Sequence, residues 1–180
     1  NMQKAAKFLK IAAENGNEDA ISQYGEMLLF GKGIQQDKEK AIMFFKKGIE
    51  IGNAESMTLY AYALLYGEGV PINKEEAKKY YTMAIEKGDI DAINNYAYLL
   101  QYGEGVPVNK QKAIQYYKMA IEKGSVVAVD NIVFMLKYDD DVSINKDEII
   151  NILKQEIEKG STYCMNKYAS MCYIGKGLPV

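Results

Sequence analysis

Four kinds of residue in this 180-residue chain have types and spacing that could do chemistry: paired glycines, an acidic run, two cysteines and adjacent tyrosines. The stretch Tyr66–Lys74 reads YGEGVPINK and Tyr102–Lys110 reads YGEGVPVNK, differing only at Ile72 and Val108. A Gly-x-Gly before a helix is how many phosphate-cradling loops begin. Here Ile72 and Val108 stand where a dinucleotide loop needs its third glycine, and no Gly-Lys-Ser/Thr follows as in a nucleoside-triphosphate loop. The acidic run places Asp139, Asp141, Ser143, Asn145 and Asp147 at the alternate spacing of a calcium loop. Such a loop needs Gly at its sixth position and Glu at its twelfth, and these are Ile144 and Ile150. A solvated turn without a metal is expected. Cys164 and Cys172 fall on one helical segment, where eight residues rise by about 12 Å, too far for the ~5.5 Å Cα separation of a disulfide. Both read as small buried apolar residues.

Acid–base chemistry has little to work with. The chain has no histidine, so proton transfer near neutral pH would fall to carboxylates or lysines with strongly shifted pKa values. The carboxylates lie mostly on solvent-side helix positions, and no nucleophile recurs in a suggestive setting. The pairs Tyr80-Tyr81 and Tyr116-Tyr117 read as core, with hydroxyls reaching the edge. No catalytic residue, metal ligand or cofactor is expected. Lysines supply all 22 basic side chains, the formal net charge is −2 and the pI is about 5.4. That balance lacks the basic footprint and the arginines of a nucleic-acid binder. No apolar run approaches the ~20 residues of a membrane-spanning helix.

What the glycines position is an architecture. Gly16, Gly52, Gly88, Gly124 and Gly160 are spaced by 36, and so are the pairs Gly31-x-Gly33, Gly67-x-Gly69, Gly103-x-Gly105 and Gly175-x-Gly177. The missing pair is replaced by Asp139-Asp140-Asp141. Self-similarity at such a period marks a helical-repeat array. Each period holds two amphipathic segments whose apolar spacing fits 3.6 residues rather than 2, as at Ala77, Tyr80, Tyr81, Ala84 and Ile85. Helix A is expected at about 18–30, 54–66, 90–102, 126–138 and 162–174, and helix B at about 2–14, 38–50, 74–86, 110–122 and 146–158. Asn17, Asn53, Asp89, Ser125 and Ser161 precede the A helices. Asp37, Asn73, Asn109 and Asn145 precede the B helices, with Asn1 in the same register. All can accept from the orphan amides of a first helical turn. The Gly-x-Gly therefore lies between two helices and reads as a structural turn.

These residues carry a resemblance. Ala92, Tyr96, Ala97, Leu100, Gly103, Gly105, Val106, Asn109, Ala113, Tyr116, Tyr117, Ala120, Ile121 and Gly124 resemble the pattern of the Sel1-like repeat family, and the likeness recurs along the whole chain. The resemblance implies an all-α fold: a right-handed superhelical α-solenoid of about ten antiparallel helices in 36-residue repeats, related to tetratricopeptide repeats, with helix A lining the concave face. It also implies scaffold or adaptor work, as in ER quality control, cell-wall synthesis and bacterial signalling or virulence, rather than a reaction. Residues 1–16 then read as helix B of a preceding repeat. Residues 17–52, 53–88, 89–124 and 125–160 read as repeats and 161–180 as a partial one, the whole a segment of a longer protein. The fourth period departs from the pattern: aromatic bulk gives way to aliphatic at Ile132, Ile152 and Leu153, and Val133 and Ile149 in place of alanines offset the loss in core volume.

Function then follows from the side of helix A opposite its core columns Ala92, Ile93, Tyr96, Ala97, Leu99 and Leu100. One column there reads Ser22, Thr58, Asn94, Asp130 and Asn166, short and polar throughout. Its neighbour reads Glu26, Tyr62, Tyr98, Phe134 and Ser170. The aromatics either pad the seam between adjacent A helices or form pockets for a partner's side chains. The candidate partner-binding set is Thr58, Tyr62, Asn94, Tyr98, Gln101, Asp130, Phe134 and Asn166. Asp19, Glu26, Glu55, Asp91 and Asp130 against Lys137 favour an apolar or basic protein segment as partner. Open solenoid ends offer a route to self-association. The reading from another class is a regulatory or positioning segment of an enzyme whose catalytic domain lies elsewhere.

Overall fold

The computed structural model describes residues 2–138 and 145–175. They form α1 (Met2–Glu14), α2 (Glu18–Phe30), α3 (Lys38–Glu50), α4 (Ala54–Tyr66), α5 (Lys74–Glu86), α6 (Ile90–Tyr102), α7 (Lys110–Glu122), α8 (Val126–Tyr138), α9 (Lys146–Glu158) and α10 (Thr162–Ile174). Odd-numbered helices are the B segments and even-numbered helices the A segments of the 36-residue period, with the bounds expected from the sequence. Among the described residues there is no β-strand. The acidic turn at Asp139 to Asp141, with its calcium reading, lies outside the described residues, as do Asn1, Gly177 and Pro179.

The caps explain why the helices start where they do. Each of the nine expected cap residues within the described chain accepts from the amide three residues on. On the A helices Asn17 caps through Ala20 at 2.9 Å, Asn53 through Ser56 at 2.7 Å and Asp89 through Ala92 at 2.7 Å. Ser125 and Ser161 do the same through Ala128 and Cys164. On the B helices Asp37, Asn73, Asn109 and Asn145 cap at 2.9–3.1 Å.

The glycine pairs divide two tasks. Gly67 ends α4 in the left-handed conformation at φ 75°, its amide donating to Ala63 O. Gly69, also at positive φ, lies so close to the start of α3 that an added Cβ would come within 2.9 Å of the Lys38 carbonyl oxygen. Gly33 stands in the same relation to Met2 at the start of α1. One glycine terminates an A helix, and the next lets the turn touch the B helix one period earlier. That is why the pair recurs without a phosphate.

The chain divides into two compact units, Asn1–Ala92 and Ile93–Val180. In the first, α1 packs on α2, α2 on α3, α3 on α4 and α4 on α5, and the A helices α2 and α4 also touch. In the second, α7 packs on α8, α8 on α9 and α9 on α10, with α8 against α10 and α7 against α9. Edge-to-face ring pairs at 5.1–5.2 Å join A to B within successive periods: Tyr24–Phe44 and Tyr60–Tyr80 in the first unit, Tyr96–Tyr116 in the second. All six helix A core columns are buried at Ala92, Ile93, Tyr96, Ala97, Leu99 and Leu100. Burying a large apolar side chain contributes about 1.5–3 kcal/mol before entropy is counted. The fourth period, despite its divergence, buries Ile132, Val133, Ile149, Ile152 and Leu153.

Two expectations change. Tyr81 and Tyr117 are core residues, but the Tyr117 hydroxyl does not reach the edge; it donates inward to Gln101 Oε1 at 2.9 Å. Cys164 is buried as expected, whereas Cys172 is exposed. Eight residues carry the helix about 80° beyond two full turns, enough to move Cys172 off the buried side.

Candidate partner-binding face

The candidate residues lie on the A helices and, within each unit, inherit the spacing of those helices. In the first unit, Phe30 on α2 and Tyr62 on α4 have ring centroids 5.7 Å apart, and Tyr62 and Tyr66 lie one turn apart at 4.7 Å. Phe30 and Tyr66 are each more than two-fifths exposed, and Tyr62 is half-buried. Lys32 Nζ sits 5.2 Å over the Phe30 ring and 2.8 Å from Glu26 Oε1.

Two carboxylates stand in the first turns of A helices, Glu55 on α4 and Asp91 on α6. Burial raises the Glu55 carboxyl above the usual range; the hydrogen bond from Ser22 Oγ at 2.6 Å opposes this, and the charges of Glu26, Asp89 and Asp91 add to it. Burial also raises Asp91, with Asp89 and Glu26 adding to the effect. Asp89 is spoken for: its Oδ1 accepts from the Ala92 amide and from Thr58 Oγ1 at 2.9 Å. Among the described residues neither Glu55 nor Asp91 has an ion-pair partner.

In the second unit the aromatic pairs are Tyr98–Tyr102 at 4.5 Å and Phe134–Tyr138 at 4.9 Å, all four exposed. Asp130 accepts from Lys167 Nζ at 2.7 Å and from Tyr163 OH at 2.8 Å, and the same ammonium lies 5.1 Å over the Tyr163 ring. Hydrogen bonding to Asp130 raises the Lys167 ammonium above its ordinary value. Asn166 is exposed.

The eight candidate residues therefore divide. Tyr98, Phe134, Asp130 and Asn166 are exposed and Tyr62 is half-buried. Thr58, Asn94 and Gln101 are buried, with their polar groups engaged inside the chain. Thr58 bonds Asp89, Asn94 Oδ1 accepts from Asn131 Nδ2 on the next A helix at 3.3 Å, and Gln101 accepts from Tyr117. An A helix is flanked by its own B helix and by neighbouring A helices, so the short polar column becomes a seam between repeats. Ser22 joins the same seam through Glu55.

Sequence reasoning missed the second aromatic column. Phe30, Tyr66, Tyr102 and Tyr138 recur at 36-residue spacing, each four residues after the column already singled out. Side chains four apart share a helix face, so the pairing was open to periodicity alone.

Among the described residues no group of three or more His, Cys, Asp or Glu side chains is placed to hold a metal ion, and no helix is long and apolar enough to cross a membrane.

The Sel1 repeat model matches residues 1–17, 18–53, 54–89 and 90–125, more than two thirds of the chain. A comparison with curated proteins finds no match. Among solved structures, a Sel1 repeat protein from Oxalobacter formigenes is similar at TM-score 0.71 and 24% identity, over 95% of this chain and 70% of that one. A protective antigen with an SLR fold, present in uropathogenic Escherichia coli strains, is similar at TM-score 0.71 and 23% identity. That likeness covers 99% of this chain, which spans only 38% of the antigen. Cysteine rich protein B of Helicobacter pylori is similar at TM-score 0.55 and 24% identity, over 70% of this chain and 96% of that one. These likenesses establish the fold, an all-α solenoid of repeats. Sel1 repeats generally serve as scaffolds for protein–protein interaction. The family match ends at residue 125, where the aromatic-to-aliphatic exchanges begin, yet α8, α9 and α10 keep the 36-residue spacing. With its glycine turns, its capped helix pairs and that match, the chain belongs to the Sel1 repeat family.

Proposed function

We propose that this chain is a non-catalytic scaffold that captures a segment of a partner protein on the exposed side of its A helices, the concave face in a solenoid of this kind. The observation that carries the reading is the aromatic pair near the C-terminal end of A helices: half-buried Tyr62 with exposed Tyr66 in the first unit, and exposed Tyr98/Tyr102 and Phe134/Tyr138 in the second. Exposed aromatics are the usual anchors of an interface, and here they stand opposite columns already filled by core residues. Thr58, Asn94 and Gln101 act as the floor that holds adjacent helices in register. Tyr62, Tyr98, Phe134, Asp130 and Asn166 make the contacts. An apolar or basic segment is the preferred partner, because the A helices carry six carboxylates against two lysines.

Selection of a phage-displayed random dodecapeptide library on the immobilised chain tests this. Selected peptides should bind the native chain and lose at least tenfold in affinity when Tyr62, Tyr98 and Phe134 are replaced together by alanine, with the melting temperature nearly unchanged. Peptides that bind that variant as well as the native chain would move the binding site elsewhere.

A further inference from the structure

The first unit holds a cation in a way that a partner could repeat. Lys32 is clamped between a carboxylate and an aromatic face, 2.8 Å from Glu26 Oε1 and 5.2 Å from the Phe30 centroid. The second unit repeats the arrangement with Lys167, 2.7 Å from Asp130 and 5.1 Å from the Tyr163 centroid. A carboxylate next to a ring face suits a cation twice over, through charge and through the ring quadrupole. Glu55 and Asp91 are carboxylates of the same neighbourhood for which the described residues supply no cation. Exposed Phe30 and Tyr66, with half-buried Tyr62 between them, form a contiguous aromatic patch on α2 and α4. Glu55 stands two turns before Tyr62 on the same side of α4, and Glu26 one turn before Phe30 on α2, so the charged and aromatic parts run along one face.

We propose that the face of the first unit formed by α2, α4 and the first turn of α6 docks an extended segment carrying lysine or arginine next to leucine or phenylalanine. The carboxylates of Glu55 and Asp91 take the cation, beside the Glu26–Lys32 pair, and the rings of Phe30, Tyr62 and Tyr66 take the apolar side chain. This deepens the scaffold reading and rests on it for the choice of face. Charge complementarity identifies the occupant: of the three carboxylates there only Glu26 is paired, by Lys32, so a bound ammonium or guanidinium matches Glu55 and Asp91 while an acidic segment is repelled.

The test uses the full chain and two fluorescein-labelled ten-residue peptides, one alternating lysine with leucine and phenylalanine, the other with glutamate in place of every lysine. The lysine peptide should bind at least tenfold more tightly, and its affinity should fall several-fold between 0.05 and 0.3 M salt (about the range over which exposed charge pairs are screened). Glu55→Gln with Asp91→Asn should cost the lysine peptide about tenfold, about 1.4 kcal/mol. Glu50→Gln with Glu86→Gln, the same charge change on α3 and α5, should leave it unaltered. Asp91→Asn alone, at an exposed position, serves if the double variant melts early and should cost part of the same loss. Equal loss from both charge-matched pairs would reduce the effect to net charge and overturn the assignment. Equal binding of the two peptides, still abolished by Phe30→Ala and Tyr66→Ala, would overturn the charge preference and leave the aromatic face standing. No binding of the lysine peptide at 1 mM would overturn the proposal outright, and peptides selected from the library would then decide separately whether the A-helix face binds anything.

Discussion

Ser56 Oγ is a buried polar atom with no hydrogen-bond partner among the described residues. It lies where a Cβ on Gly48 of α3 would collide with it, so glycine at position 48 is what lets α4 approach α3. The equivalent positions one period away are Ala20 and Ala92. Ser56→Ala should therefore be neutral or stabilise by up to about 1 kcal/mol, because it removes an unsatisfied hydroxyl and keeps the shape. Gly48→Ala should destabilise by roughly 1–3 kcal/mol through overpacking. Urea denaturation reads both, and a destabilising Ser56→Ala would mean that the hydroxyl has a partner. The raised carboxyls of Glu55 and Asp91 make a pH prediction. Groups that hold protons more tightly folded than unfolded add stability as pH falls through their folded pKa towards the unfolded value, and that stability is lost as pH rises through the folded pKa. The native chain should gain melting temperature relative to Glu55→Gln/Asp91→Asn between pH 7 and 5, the difference closing as the carboxyls protonate. A gap that widens on acidification would contradict the raised values.

At the scale of elements, the local signals were readable and the lateral ones were not. Caps and C-terminal glycines act within a turn or two of themselves, which is why ten helix bounds follow from sequence. Thr58 and Asn94 looked like free polar groups because their burial depends on a neighbour some 30 residues away. Gln101 looked the same because its partner Tyr117 comes from the following B helix. Periodicity says which side of a helix is apolar; it does not say how many other helices surround it. The Gln101–Tyr117 pair gives a check. Tyr117→Phe alone should cost about 1–2 kcal/mol by leaving a buried amide oxygen without its donor. Combined with Gln101→Leu, matching Leu29 and Leu65 in that column, it should recover most of the loss. Additive losses would show that the bond is not the reason Gln101 is buried. Likewise Asn53→Ala should cost about 1 kcal/mol as a lost cap, and chemical denaturation would detect it.

Across the molecule the charge is sorted by helix type. The A helices hold six carboxylates and two lysines, and the B helices eleven carboxylates and fifteen lysines. A net charge of −2 conceals this division, which becomes visible only once the two helix types are told apart. The exposed aromatics divide less completely. Phe30, Tyr66, Tyr98, Tyr102, Phe134, Tyr138 and Tyr173 lie on A helices, and Phe8 on α1 is an exposed aromatic of a B helix. Fold and family were legible because a repeat states its rules several times. Of the two aromatic columns on which the proposed face rests, the spacing showed one. The central claim is that the A helices, and not the B helices, receive the partner. Backbone amide chemical shifts of the isotope-labelled chain, recorded while a library-selected peptide is titrated in, test it most directly. Saturable shifts should concentrate at residues 26–30, 62–66, 98–102 and 134–138, with α3, α5 and α7 nearly unmoved. Shifts concentrated on α3, α5 and α7 instead would contradict it.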